Sequence, residues 1–342
     1  MPKFILDKKI VLEKYKEIEE ICDLVSYSSK TNSLVTEILE ENENCMFSVH
    51  LVNELKNIKD LSRVIFLAQG WNEEEIKDLI SKKIDNFAVD NERDLDILLK
   101  FLENYEGKVN LLLRLKLKEH SLRTEKFFVF GMSSKIINSR VIELKENSKI
   151  DKLGVHFHRK TQNMSEWNLK EEISLVLDEE CLKSLDYMNI GGGLPSVYAN
   201  TNVKVVDGIK KKLKDFREWL NNYEIKMIVE PGRFIAAPAV KLVTKVLRIY
   251  DNNIIVDASV YNSDMDALIV PVKLLVEGEL KKGEGEAYVI KGVTPCSMDL
   301  FRYRVYLKDL KEGDEIVFLN AGAYNFSTEF CDLEKIEVET IK

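Results

Sequence analysis

The sequence predicts a (β/α)8 TIM-type barrel followed by a C-terminal antiparallel β domain, and three observations carry that expectation. Between residues 24 and 230, eight short β-rich apolar runs alternate with amphipathic segments of helical period. Residues able to do chemistry fall just after those runs, where a parallel barrel gathers its functional groups. Beyond Pro238 the alternation stops, and strand-like runs follow one another across Gly, Asn and Asp turns. A doubly wound sheet also alternates strands with helices, but eight repeats in succession favour the barrel.

The chain opens on a short β-rich run at 3–6, ahead of a helical pattern at 11–20, so residues 1–8 are expected to lend a strand to the β domain. The barrel runs are 24–29, 46–49, 64–68, 86–89, 110–117, 153–158, 187–190 and 227–230. Helical periodicity is clearest at 73–82, 92–102, 133–144 and 206–221. After Pro238 come runs at 240–248, 253–256, 268–275, 287–291, 304–307 and 315–319. The expected division is a barrel of residues 1–237 and a β domain of residues 238–342, which suits a chain of 342 residues.

Composition narrows the function classes. Hydrophobic residues at 45% and charged residues at 32% describe a soluble globular protein. No apolar run approaches the roughly 20 residues that span a bilayer. The N-terminus lacks a secretory pattern, so a cytoplasmic protein is expected, with no membrane partner. A net charge of −8 argues against a nucleic-acid partner. Lys210 to Lys214 sit among apolar residues at helical spacing and read as a solvated helix face. The five cysteines are scattered, without a C-x-x-C pair, so neither a disulfide framework nor a metal site is expected.

The strand ends carry the chemistry. Asn189-Ile190-Gly191-Gly192-Gly193-Leu194-Pro195 offers backbone N–H groups that can approach an anion closely. Glu230-Pro231-Gly232-Arg233 adds a carboxylate and a guanidinium suited to phosphate, and Gly322-Ala323-Tyr324 adds an aromatic hydroxyl. Lys30, in Tyr27-Ser28-Ser29-Lys30-Thr31-Asn32, stands where a buried strand gives way to a helix, and desolvation there would free its amine for a Schiff base. Alone, each motif has a bland reading: a surface lysine, a tight turn, a structural ion pair. In this order, at successive strand ends, they are the equipment for a phosphorylated, protonated heterocycle with an aldehyde, pyridoxal 5'-phosphate.

The ordered series resembles the fold-type III pyridoxal-phosphate-dependent decarboxylases, the family of ornithine, diaminopimelate and arginine decarboxylases on an alanine-racemase-like barrel. Residues 26–32 look like its lysine motif, and Gly154-Val155-His156-Phe157-His158 like its histidine motif. Thr294-Pro295-Cys296-Ser297-Met298-Asp299 resembles its cysteine motif, and Gly313-Asp314 through Tyr324 its closing motif. The resemblance implies that Lys30 forms the Schiff base, that His158 stacks on the ring and that Thr161 stands near a phosphate-binding serine. It implies Gly191, Gly192, Gly193, Gly232, Arg233 and Tyr324 around the phosphate, and Glu230 on the ring nitrogen. A carboxylate there keeps the ring a strong electron sink, which favours decarboxylation over the racemase or epimerase chemistry of related proteins. Cys296 is implied as the proton donor, and a thiol can titrate near neutrality. A homodimer with shared active sites is implied too, with Cys296 and Ser297 acting across it. A non-catalytic regulatory homologue is the alternative, against which stands the retention of Lys30, His158, Glu230, Arg233, Cys296 and Tyr324.

Departures from the family bear on substrate. Where basic-amino-acid decarboxylases follow the cysteine with an acidic residue, this chain has Ser297, with Asp299 as a shifted replacement. A second acidic residue expected downstream of Tyr261 aligns with Val270, a strand aspartate becomes Ser48, and a lysine becomes Val129. Arg159, Lys160, Arg302 and Arg304 add cations beside the motifs. Missing anions and added cations suit a carboxylated substrate, by charge complementarity.

Overall fold

The structure is a computed structural model that describes residues 1–117, 129–201, 206–325 and 327–342. The chain divides into two compact units, residues 15–194 with 204–232, and residues 1–14 and 195–203 with 233–342. The division thus falls after Gly232 rather than after Ala237, and the second unit recruits residues 195–203 from within the barrel sequence.

The first strand, β1 (Lys3–Asp7), belongs to the second unit. The first unit is the barrel: β2 (Leu24–Ser28), β3 (Met46–Val49), β4 (Val64–Ala68), β5 (Asn86–Val89), β6 (Val109–Arg114), β7 (Ile150–His156), β8 (Tyr187–Asn189) and β9 (Lys226–Val229). Each pairs in parallel with the next, and β2 closes the ring on β9. All eight expected strands are present. Strands such as β4 are buried almost throughout because a parallel barrel is covered inside and out. Ile65, Ala88, Leu112 and Ile228 fill its interior, with Leu24, Met46, Leu67 and Tyr187 packed against them.

Loop chemistry sets where the helices begin. Asn72, Asn91 and Ser133 each accept a hydrogen bond from a first-turn N–H, at 3.0, 3.0 and 3.4 Å, and so cap the helices Glu73–Ser81, Glu92–Glu103 and Ser134–Lys145. Glu73, Glu74 and Glu75 then complement the positive helix end. Strand register does the rest: Val49 pairs with Phe66, Ala68 with Val89, Val89 with Leu113, Arg114 with His156, and His156 with Asn189. The residues that follow these positions therefore share one end of the barrel.

The second unit holds an eight-stranded sheet of β1 with β10 (Val240–Tyr250), β11 (Asn253–Val256), β12 (Leu275–Val276), β13 (Glu286–Lys291), β14 (Leu300–Leu307), β15 (Glu315–Leu319) and β16 (Glu337–Ile341). It is mostly antiparallel, but β1 runs parallel to β16 and β11 to β13. Phe301 and Phe318 stack in its core with ring centroids 4.7 Å apart. The expected run at 268–275 is not a strand. A helical turn, Met265–Ile269, occupies its start, and Pro271, which has no N–H to offer a ladder, delays pairing until Leu275. The strand β16 went unforeseen because Glu337-Val338-Glu339-Thr340-Ile341 is exposed along its length and lacks an apolar face.

Candidate active site

Lys30 lies in a tight helical turn, Ser29–Thr31, directly after β2. Three contacts fix that turn. The Ser28 N–H donates to the Pro231 carbonyl at 3.0 Å, the Ser29 and Thr36 hydroxyls are 3.0 Å apart, and Asn32 caps the following helix. Gly232 packs where any side chain would strike the Thr31 hydroxyl, so its small size serves this turn directly. Lys30 reaches solvent, yet the protein around it desolvates the ammonium and lowers its pKa. Glu230 and Glu54 oppose that shift and Arg114 adds to it. The Lys30 Nζ stands 3.1 Å from His50 Nε2.

Glu230, just past β9, is only 6% exposed. Its Oε1 accepts from Asn189 Nδ2 at 2.8 Å, and its Oε2 is 3.5 Å from His156 Nε2. Burial alone would raise this carboxyl, but His156, Asn189 and Ser48 outweigh it and hold the pKa below the usual carboxylate range. Glu230 is therefore an anion throughout the neutral range. His158 is half-buried, and its Nδ1 accepts from the Gly192 N–H at 3.3 Å. Burial, then the neighbouring His156, pushes its pKa down to about 4, so the ring is neutral. Gly191 has φ +66°, and a Cβ there would lie 2.5 Å from the Phe157 carbonyl. The glycine turn can therefore press against the histidine segment as no other residue could. Thr161 follows in that segment, half-buried.

Three groups at this end of the barrel escaped the motif reading, His50, Asp90 and Arg114, and a fourth, His156, lies inside the histidine motif without a role assigned to it. Each closely follows or ends a strand, so the strand-end rule, applied to all eight strands, finds them. They line a cavity of about 150 Å3, in which Arg114 Nη1 donates to Asp90 Oδ1 at 2.9 Å.

The second unit carries its own clusters. Arg233 grips Asp266 with both terminal nitrogens, Nη2 to Oδ1 at 2.9 Å, and donates to the Tyr198 hydroxyl at 2.9 Å. Its guanidinium lies 5.3 Å from the centre of the Tyr324 ring. Asp264 is fully buried, and among the described residues its carboxyl oxygens have no hydrogen-bond partner. Burial, then Asp266, drives its pKa well up, so it is a neutral acid.

Cys296 Sγ and the Tyr261 hydroxyl are 3.1 Å apart, and the Tyr261 ring stacks on Phe330 at 3.9 Å. The phenol and the thiol share a hydrogen bond that lowers the thiol pKa, with help from the Met298 backbone, while the same bond pushes Tyr261 up to about 12. Ser297 is exposed. Asp299 is occupied in holding its own loop. Its carboxylate accepts from the Val260 N–H, the Thr294 N–H and the Thr294 hydroxyl at 2.9, 3.0 and 2.7 Å.

Three of the four cations noted in the sequence are also engaged. Arg159 pairs with Glu166 and Glu172, Lys160 with Glu166 at 3.1 Å, and Arg302 with Glu279 at 2.6 Å. They balance local acids, which weakens the charge argument for a carboxylated substrate.

Residues 10–237 match the family model described as "Pyridoxal-dependent decarboxylase, pyridoxal binding domain". The chain belongs to the fold-type III pyridoxal-phosphate-dependent decarboxylases. This decarboxylase is 24% identical over 282 residues to the diaminopimelate decarboxylase of Aquifex aeolicus, a match covering 78% of this chain and 66% of that one. Its fold is like that of the Helicobacter pylori diaminopimelate decarboxylase complexed with L-lysine, with TM-score 0.80, 21% identity, and 100% and 92% of the two chains covered. The Vibrio vulnificus lysine/ornithine decarboxylase complexed with putrescine gives 0.78 at 21% identity, covering 100% and 94%.

Pyridoxal 5'-phosphate is the cofactor of this amino-acid decarboxylase family, and the barrel residues fit it. A desolvated lysine amine, a buried carboxylate that stays ionised, a neutral histidine and a glycine turn with no room for side chains meet at one end of the barrel. Among the described residues no helix is long and apolar enough to cross a membrane, and no cluster of His, Cys, Asp and Glu could hold a metal ion.

Proposed function

We propose that this chain decarboxylates an α-amino acid carrying a second, distal carboxylate, of the diaminopimelate type, with Lys30 holding the cofactor's aldehyde covalently. Bound pyridoxal phosphate supplies the electron sink for the pair left when CO2 departs. The observation that carries the reading is the Lys30 amine and the Glu230 carboxylate at the same barrel end, one with its charge disfavoured and the other with its charge secured. Glu230 would hold a proton on the ring nitrogen of the bound cofactor, and His158, a neutral imidazole, would cover the ring without adding a charge that opposes that proton. The N–H groups of Gly191 to Gly193, with Gly232 and Thr161, are the proposed phosphate partners.

Cys296 returns a proton to the substrate carbon, and its bond to Tyr261 supports this by easing the thiol's ionisation and recapture. Exposed Val293, Met298 and Tyr303 flank the cysteine segment and support a homodimer in which Cys296 and Ser297 complete a partner's site. The distal carboxylate rests on the names of the relatives.

The test pairs a spectrum with a substrate panel. Wild-type protein incubated with pyridoxal phosphate should show a cofactor absorbance band that Lys30→Ala lacks. CO2 release should be fastest with diaminopimelate. A colourless wild-type protein would overturn the enzyme reading, and faster turnover of lysine, ornithine or arginine would overturn the carboxylated substrate alone.

A further inference from the structure

We infer that Asp299 is a positioning residue for the Cys296 thiol, its carboxylate tying the cysteine turn to the segment that carries Tyr261. The role rests on Cys296 being the group that returns a proton to the substrate carbon. In the sequence, an acidic residue beside the cysteine reads as a contact for a substrate amine. The structure gives it another occupation.

Cys296 lies in the connection between β13 and β14, and Tyr261 in the short helix Val260–Ser263 beyond β11. The two side chains meet at 3.1 Å although they are 35 residues apart, so their segments must be held against each other. Asp299 joins them. Its Oδ1 accepts the Val260 N–H at 2.9 Å, directly before Tyr261. Its Oδ2 accepts the Thr294 N–H at 3.0 Å and the Thr294 hydroxyl at 2.7 Å, two residues before Cys296. Its own N–H donates to the Cys296 carbonyl at 3.0 Å and closes the turn 296–299. On the other side, Ser259 Oγ accepts the Tyr261 N–H at 3.2 Å, so both first N–H groups of the short helix are satisfied.

The carboxylate is 2% exposed, and Gly292 makes room for it, since a side chain there would strike its oxygens. Buried and accepting from three donors, it serves the placement of the cysteine turn and leaves substrate to other groups. In the reaction, the S–H bond of Cys296 breaks and its electron pair stays on sulfur. The proton bonds to the carbon that CO2 has left. The phenol then donates to the thiolate, with help from the N–H groups of Met298 and Asp299, and the half-exposed sulfur regains a proton from solvent. The titratable groups acting on that sulfur are Tyr261 and Asp299. The Asp299 charge by itself disfavours the thiolate, so its charge and its positioning act on the thiol with opposite signs.

That opposition supplies the test. Asp299→Asn keeps the size of the side chain, removes its charge and turns an NH2 group toward one of the present donors. In the holoenzyme, alkylation of Cys296 by iodoacetamide is followed across a pH series by mass mapping of the Cys296 peptide, because exposed Cys331 is labelled too. Positioning predicts alkylation about 3–10-fold slower at pH 7, with the thiol titrating at higher pH as it loses the phenol. Tyr261→Phe should behave alike, and the double variant should be no slower than the slower single one, since both remove the same contact. Amine formation should show a lowered kcat with KM within about twofold of wild type.

Faster alkylation in Asp299→Asn would overturn the inference, because the carboxylate would then act through its charge alone. An unchanged alkylation profile would overturn it too, and a raised KM beside that profile would return Asp299 to substrate binding. Undiminished amine formation by Cys296→Ala would instead remove the proton-donor reading, whatever the alkylation rates show of placement. Circular dichroism guards against misfolding. If Asp299→Asn unfolds, Thr294→Val, which removes one of the three donors, decides by the same alkylation series.

Discussion

The barrel end and the Arg233 cluster hold charge in opposite ways. In the barrel, Lys30, His50, Arg114, His156, His158 and Glu230 follow or end strands of the one closed sheet. Burial disfavours the charge of Lys30, and the neighbours of Glu230 secure its own. In the second unit Arg233 is closed upon itself, with Asp266 across its fork and Tyr198 on one nitrogen. The first arrangement keeps reactive groups available, and the second fixes one guanidinium in one orientation before any anion arrives. Buried polar groups therefore signal different things in the two regions, poise in one and preorganisation in the other.

The largest effect expected is on stability in the second unit. Replacing Asp266 by Asn leaves the buried Arg233 without its counter-charge and should cost about 3–5 kcal/mol in urea unfolding. A loss under about 1 kcal/mol, the range of an exposed pair, would show this one to be loosely held. In the barrel the signs should reverse. Glu230→Gln should lower kcat by about 10²–10³ in the protein that still folds, measured as CO2 release. If Glu230→Gln instead unfolded the protein and left the kcat of the folded fraction intact, the contrast between the regions would fail.

A smaller effect sharpens the picture. The folded pKa of His158, about 4, lies below its unfolded value of 6.5. The folded state therefore binds fewer protons, and the stability His158 contributes is complete above pH 6.5 and lost as pH falls toward 4. Between pH 7 and pH 5 this amounts to about 1–2 kcal/mol, allowing for partial exposure. Unfolding midpoints of His158→Gln should fall less steeply over that range, and an unchanged slope would place the acid sensitivity elsewhere.

The sequence made the barrel legible because each strand is a compact apolar run and many of the loops that follow carry a capping or turn residue. Lys30, His158, Gly191 and Glu230 were legible for the same reason, being unusual residues at strand ends. His50 and Arg114 were equally well placed but sit in segments without a motif glycine or proline to draw attention, and His156 lies inside the histidine motif, where His158 takes the assigned role. Asp299 misled because a carboxylate near a candidate thiol looks functional, and nothing in the sequence tells that Val260 and Thr294 already claim its oxygens. The strand at 337–341 was hidden by its lack of an apolar face. The expected strand at 268–275 ignored what Pro271 does to pairing.

The pairing of β1 has a consequence for how the chain assembles. Phe4 lies opposite Leu242 on one side and Val338 on the other. β1 must therefore wait for residues 240–243 before its first ladder can form, and for residues 337–341 before its second. The barrel, with β2 to β9 contiguous in sequence, can close during that wait, while β1 remains an unpaired edge. A polar break in β1, or a slowed passage through residues 240–342, would show its effect as misassembly during synthesis long before it showed in the finished enzyme.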